Sequence, residues 1–318
     1  MKGLFVLSVL CLFLFSKEFL PDFILESDSS ISSLNLYKDN IYIPQNDGSV
    51  RVYDLVRKKF VHRFVLPEVI DFFGEKKKPK IYNSDTLDGQ NILVLSEGGN
   101  GGRELRILSP SQNKVIFDEK DKLSISKALW VDENRILLGF MGNEIALYDL
   151  KSQTFVYKIH PSTASFSDLI LSEDKKFAYS TAESGVIYVI DTLAGKIISK
   201  LEGVNKDNNY QLASAKNIVL SAGQDRKMGI YKLGKDTGIG VEGKFLVYSV
   251  GISKDARYGA MMYDEEGSIA IIDLNSYKIN AFLKGGNCIV NTILFYHQEV
   301  IASCDGRKIF FWNLKGIQ

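Results

Sequence analysis

Ile145-Ala146-Leu147-Tyr148-Asp149-Leu150 is the stretch that decides the fold: a short β-run ending in an aromatic, then Asp, then Leu. Ile, Leu and Tyr suit a pleated, buried surface, and an Asp placed after such a run accepts backbone N–H groups two residues on and starts a turn. The same order of residue types recurs along the chain. Upstream it stands as Val50-Arg51-Val52-Tyr53-Asp54-Leu55 and Leu105-Arg106-Ile107-Leu108-Ser109-Pro110. Downstream it stands as Ile187-Tyr188-Val189-Ile190-Asp191-Thr192, Met228-Gly229-Ile230-Tyr231-Lys232-Leu233, Ile269-Ala270-Ile271-Ile272-Asp273-Leu274 and Ile309-Phe310-Phe311-Trp312-Asn313-Leu314. The fourth positions are 53, 108, 148, 190, 231, 272 and 312, so the gaps are 55, 40, 42, 41, 41 and 40 residues. A period of about 40 residues holds the four strands of one propeller blade. Seven copies predict an all-β, seven-bladed β-propeller.

Each period contains the other strands. A second strand precedes the run, as in Asn40-Ile41-Tyr42-Ile43, Phe177-Ala178-Tyr179-Ser180 or Val300-Ile301-Ala302-Ser303. Turn residues such as Lys38-Asp39-Asn40, Glu173-Asp174-Lys175 and Lys254-Asp255-Ala256 set it off from an inner strand. Outer strands follow the run at Val115, Phe155, Lys196 and Lys278. After Trp312 too little chain remains for an outer strand in the seventh blade, whereas Asp22-Phe23-Ile24-Leu25-Glu26-Ser27 is a strand to spare near the start. Pairing the two predicts a ring without an open edge. The propeller is therefore expected over residues 21–318.

The period and the Tyr/Trp-Asp run ends resemble WD40 repeats over nearly the whole chain after the leader. The resemblance lies in architecture more than motif, because no Gly-His pair opens a repeat and the family's buried His-to-Asp network is missing. Asp47 and Asp225 keep the family's acidic position before the aromatic, with Glu266 and Ser184 standing in elsewhere.

Hydrophobic residues make up 45% and charged residues 24% of the 318 positions, enough apolar surface to bury a core. The net charge of +1 lacks the basic excess of a nucleic-acid binder. Lys2 followed by the uncharged apolar run Leu4 to Ser16 reads as an export signal over residues 1–16, short for a membrane span of about 20 residues. Its cleavage region is poor, with bulky Leu14 where a small residue is wanted. Periplasmic export is expected, and retention as an inner-membrane anchor is the alternative.

Cys11 lies in the leader, and Cys288 and Cys304 in the last repeat. A hairpin turning near His297 sets Cys304 opposite Asn291 and leaves Cys288 about 10 Å away by strand rise, which predicts two buried thiols rather than a bridge.

Catalytic chemistry finds few candidates. His62, His160 and His297 fall in three different blades, and no Cys/His spacing suits a metal. Glu97-Gly98-Gly99-Asn100-Gly101-Gly102-Arg103 superficially suggests a phosphate cradle, but it joins two strands and reads as a long flexible hairpin. Asp85, Asp88, Asp118 and Asp121 read as turn residues. A lactonase-like or quinoprotein-like propeller enzyme needs acid and His ligands, or stacked tryptophans, converging on the axis. With Trp130 and Trp312 the two tryptophans, no catalytic residue, metal or cofactor is expected, and the enzyme stays as the alternative.

The expectation is a non-catalytic, monomeric periplasmic protein that holds a protein partner on its loops. Candidate contacts between second and third strands are Asp47, Arg103, Asn143, Asp225, Arg226, Glu266, Asp305 and Arg307. Loops leading into the blades add Lys76, Lys77, Lys78, Asn208 and Tyr210. The long second period carries Gly74-Glu75-Lys76-Lys77-Lys78-Pro79-Lys80, read either as a solvated basic loop or as a partner contact. In size, weak leader, degenerate repeats and lysine bias the chain is similar to the NapL-type propellers that accompany periplasmic nitrate reductase. That resemblance implies an assembly or electron-supply role with no redox centre on this chain. A propeller-type outer-membrane assembly scaffold is a related reading.

Overall fold

A computed structural model describes residues 17–235 and 237–316; the export signal expected at 1–16 lies outside the described residues. Seven sheets follow one another among the described residues, with four antiparallel strands side by side in chain order in each of the first six and three in the seventh. Blade 1 is typical: Asn35–Tyr37 is innermost, then Asn40–Pro44, Ser49–Asp54 and the outer Lys59–Val65. The repeated run forms the third strand of every blade, and its fourth residue is buried in all seven copies.

The strands alternate sides, so burial on both faces explains why the runs are almost continuously apolar. In Ile269–Asp273 of blade 6, Ile269 and Ile271 pack toward blade 7, while Ala270 and Ile272 pack toward blade 5. The core is accordingly not one mass but seven layers, one between each neighbouring pair of blades. In blades 1, 3, 4 and 6 a bulge against the outer strand falls immediately before the fourth residue, where it tightens the twist. The Asp that ends the run caps the next turn as expected: Ser152 N–H donates to Asp149 at 2.8 Å and Ser276 N–H to Asp273 at 2.8 Å.

The ring closes as the strand count demands. Phe23–Glu26 lies antiparallel to Lys308–Asn313, with Phe23 opposite Phe311 and Glu26 opposite Lys308, and supplies the outer strand of blade 7. The paired chain begins still earlier than residue 21. Lys17–Phe19 adds a fifth, parallel strand to blade 6 beside Lys278–Leu283.

Inner strands present their free edges to the axis, where an unpaired N–H is costly. Side chains from the preceding blade satisfy several of them. Asp85 accepts Trp130 N–H at 2.7 Å, Asp168 accepts Leu212 N–H at 2.9 Å, Gln211 accepts Val250 N–H at 3.0 Å and Thr292 accepts Leu34 N–H at 3.2 Å. Gln211 also donates to Asn291 O at 3.1 Å, reaching past blade 6 to blade 7. Gly251 lets the inner strands of blades 6 and 7 lie close, since a Cβ there would sit 2.6 Å from Ile293 O.

Bulges near the start of four inner strands leave Ser126, Ser167, Tyr210 and Asn291 without a cross-strand partner. Ser167 bonds Asn208, Tyr210 stacks on Tyr248 and Asn291 donates to Ile31 O, each reaching the segment that leads into the next blade. The Asn291 bulge overturns the cysteine expectation. It sets Cys304 opposite Val290, not Asn291, and the chain turns at Asn287, whose φ is 50°. Cys288 and Cys304 are thereby 5.9 Å apart at Cα and form a disulfide across a separation of 16 residues. A loop of that size corresponds to about 3 kcal/mol of stabilisation.

Gln211→Ala leaves the buried Val250 N–H without its acceptor. A loss of about 1–3 kcal/mol is expected, read as a lower urea midpoint with an unchanged m-value.

Candidate partner-binding face

Antiparallel order within each blade dictates which loops share a face. The loop after the second strand and the segment leading into the first strand lie at the same end. Their backbones join in every blade, as Asn46 N–H to Ser30 O, Glu97 to Lys80, Met141 to Ser124, Glu183 to Ser165, Gln224 to Asn208, Lys244 to Tyr263 and Asp305 to Ile289. All thirteen candidate contacts therefore belong to one end of the ring, although many of them are occupied with holding it together.

Asn143 is fully buried, its φ is 66°, and its amide donates to the Ser162 hydroxyl at 2.9 Å. It offers no surface to a partner, which corrects its place among the contacts. Asp47 caps its own turn through Ser49 and pairs with Arg63 at 2.8 Å. Asp225 accepts the Asn205 amide at 2.9 Å, and Asn208 accepts from Ser167. Arg103 lies over the Tyr82 ring at 3.7 Å, and Arg307 pairs with Glu26 at 3.1 Å. Tyr210 donates to Gln224 at 3.0 Å. Arg226, Glu266, Asp305, Lys76, Lys77 and Lys78 are exposed, with Lys77 paired to Glu97 at 2.7 Å.

The extra chain of the second period is a β-hairpin, Val69–Ile70 against Lys76–Lys77, raised from the segment between blades 1 and 2. Asp71 organises its tip by accepting Phe73 N–H at 2.8 Å and Glu75 N–H at 3.0 Å, and Gly74 takes φ 84° to complete the turn. At that tip Phe72 is 81% and Phe73 87% exposed, their rings edge to face at 5.9 Å. Sequence reasoning weighed the lysines and passed over this pair. The available signal was two adjacent aromatics in a turn outside every blade's strand pattern. The glycine segment is a hairpin as expected, joining antiparallel strands with Glu97 opposite Arg103, but its turn is compact: Gly99–Gly101 makes one 3-10 turn, and Cβ atoms at Gly99 and Gly102 would meet Glu119.

The opposite end carries a broad depression of about 820 Å³ across blades 6, 7 and 1, lined by Lys38, Lys254, Arg257, Tyr296, His297 and Lys315 among others. Tyr296 donates to Asp39 at 2.8 Å; burial and that carboxylate push its hydroxyl up to about 12. Among the described residues no group of three or more His, Cys, Asp or Glu side chains is arranged to hold a metal ion. No protein-family model matches the chain, and no curated protein matches it significantly in sequence. The sheets themselves establish the seven-bladed propeller.

Turns at the depression's end are capped by carboxylates. The Ser152 N–H holds Asp149 below its ordinary value, and the hydroxyls of Ser172 and Ser253 do the same for Asp174 and Asp255. Their contribution is complete above the unfolded value near pH 4 and is lost as pH falls through the depressed folded values. Asp85 opposes this, because burial pushes its carboxyl up and the strain of ionising it fades in acid. Six such caps against one opposing group (Asp88, Asp132 and Asp273 are also lowered) predict a urea midpoint that is flat from about pH 7 to 5 and falls below about pH 4.

Proposed function

We propose that the chain is an exported, non-catalytic binding protein that holds a protein partner on its loop-rich end, with Phe72 and Phe73 as the anchor. The observation that carries this reading is the hairpin. Nothing in the blade architecture requires it, and its tip is ordered by Asp71 while both rings stay in water. Covering each ring contributes about 1.5–3 kcal/mol, and the preorganised turn lowers the ordering cost of association. The Cys288–Cys304 disulfide supports export, since such bonds persist in oxidising compartments.

A finer version makes the chain a WD40-like accessory of periplasmic nitrate reductase, serving its assembly or electron supply. It rests on the resemblance in size, leader, repeat degeneracy and lysine bias.

Both levels are tested in one strain series. Deleting the gene is expected to lower periplasmic nitrate reduction while every cofactor-bearing subunit remains present. The wild-type gene restores it, and Phe72→Ser/Phe73→Ser does not, although that variant keeps its urea midpoint because both rings are solvent-facing. Unchanged nitrate reduction in the deletion removes the finer version. Full rescue by the double variant removes the anchor.

A further inference from the structure

We infer that the depression across blades 6, 7 and 1 docks an acidic, extended segment of a partner protein, at the end of the ring opposite the hairpin. Its rim is made of turns. Lys38 stands between the first two strands of blade 1, Lys254 and Arg257 at the corresponding turn of blade 6, and Lys315 just after the third strand of blade 7. All four side chains are exposed. Lys38 lies 5.2 Å from the Tyr37 ring and Arg257 lies 5.0 Å from the Tyr258 ring. Among the described residues no carboxylate forms an ion pair with Lys38, Arg257 or Lys315, and Lys254 meets Glu173 at 3.8 Å with both side chains mostly in water.

The carboxylates of the depression are committed elsewhere. Asp39 accepts the Tyr296 hydroxyl, while Asp255 accepts the Ser253 hydroxyl at 2.6 Å and Arg257 N–H at 3.1 Å. Asp273, whose field reaches Arg257, is spent on the N–H groups of Asn275 at 2.9 Å and Ser276 at 2.8 Å. Four cations thus face two carboxylates that are holding a tyrosine and a turn, in a chain whose whole net charge is +1. A concave wall focuses such an excess and attracts anions.

Shape selects among anions. The cations stand on three different blades around a volume of about 820 Å³, far larger than one phosphate or carboxylate group needs. Between them the floor is apolar: Leu36, Phe295 and Leu314 are partly buried and pack against the core layers beneath. An extended chain sends alternate side chains to opposite sides, so carboxylates can reach the turn cations while apolar groups between them cover the floor. A compact polyanion would satisfy the cations and leave that floor in water.

This inference goes beyond the hairpin reading and stands without it, since the two sites lie at opposite ends. The test titrates the full chain with a short fluorescein-labelled peptide in which aspartate and glutamate alternate with leucine and phenylalanine, read by anisotropy. The peptide is expected to bind, more weakly as salt rises, and its counterpart carrying asparagine and glutamine is expected not to. Lys254→Gln/Arg257→Gln/Lys315→Gln is expected to weaken binding about tenfold, through the loss of three exposed ion pairs. Lys59→Gln/Lys196→Gln/Lys278→Gln makes the same change in net charge at exposed lysines outside the depression and is expected to leave binding unchanged, as is Phe72→Ser/Phe73→Ser. Equal weakening by the two triple variants, or equal binding of the amide peptide, overturns the site. Loss of binding in Phe72→Ser/Phe73→Ser puts the peptide on the hairpin and overturns it too. Inorganic triphosphate bound through Lys254, Arg257 and Lys315, with no binding of the peptide, overturns the peptide as occupant.

Discussion

A ring of sheets has stability as a ring only if its last blade is complete, and here that depends on backbone pairing between the first and last parts of the chain. Phe23–Glu26 covers the edge that Lys308–Asn313 would otherwise expose, and Leu25 enters the layer between blades 7 and 1 beside Ile309 and Phe311. Without that strand the blade keeps an open edge of unpaired N–H and C=O groups, and the neighbouring apolar layer loses its cover. The disulfide from Cys288 to Cys304 braces the same blade at its loop-rich end, so the seam carries both a non-covalent and a covalent tie.

The rest of the structure distributes the load around the circle. Each interface between blades is a separate apolar layer, and the axial edges are stitched by polar side chains that reach forward to the next inner strand. A scaffold built this way leaves its turns free to vary. Most polar loop residues nevertheless serve their own turns: Asp47, Asn143 and Asp225 are consumed by local hydrogen bonds. On the proposed reading, the surface left for a partner is smaller and more apolar than a count of charged loop residues suggests, and it centres on the hairpin tip.

The third strands could be read from sequence because both of their faces are buried, which produces an apolar run recognisable without knowing its neighbours. The capping Asp after each run is equally local, and the missing outer strand followed from counting. What escaped were effects of long-range geometry. The roles of Asp168 and Gln211 depend on the adjacent blade's edge, and nothing in their immediate neighbourhood specifies it. The disulfide was missed because the single-residue bulge at Asn291 shifts the register that a plain hairpin would keep. Phe72 and Phe73 were passed over because an aromatic pair in a loop has the composition of a core fragment, and only exposure distinguishes the two.

The closure is tested most directly by a cross-link between Glu26 and Lys308, which face each other across the seam and are both exposed. Glu26→Cys/Lys308→Cys, purified without reductant, is predicted to give an oxidised monomer with a higher unfolding midpoint than its reduced form. Free thiols at both positions, or a covalent dimer in place of the monomer, would contradict a ring sealed within one chain by the strand Phe23–Glu26.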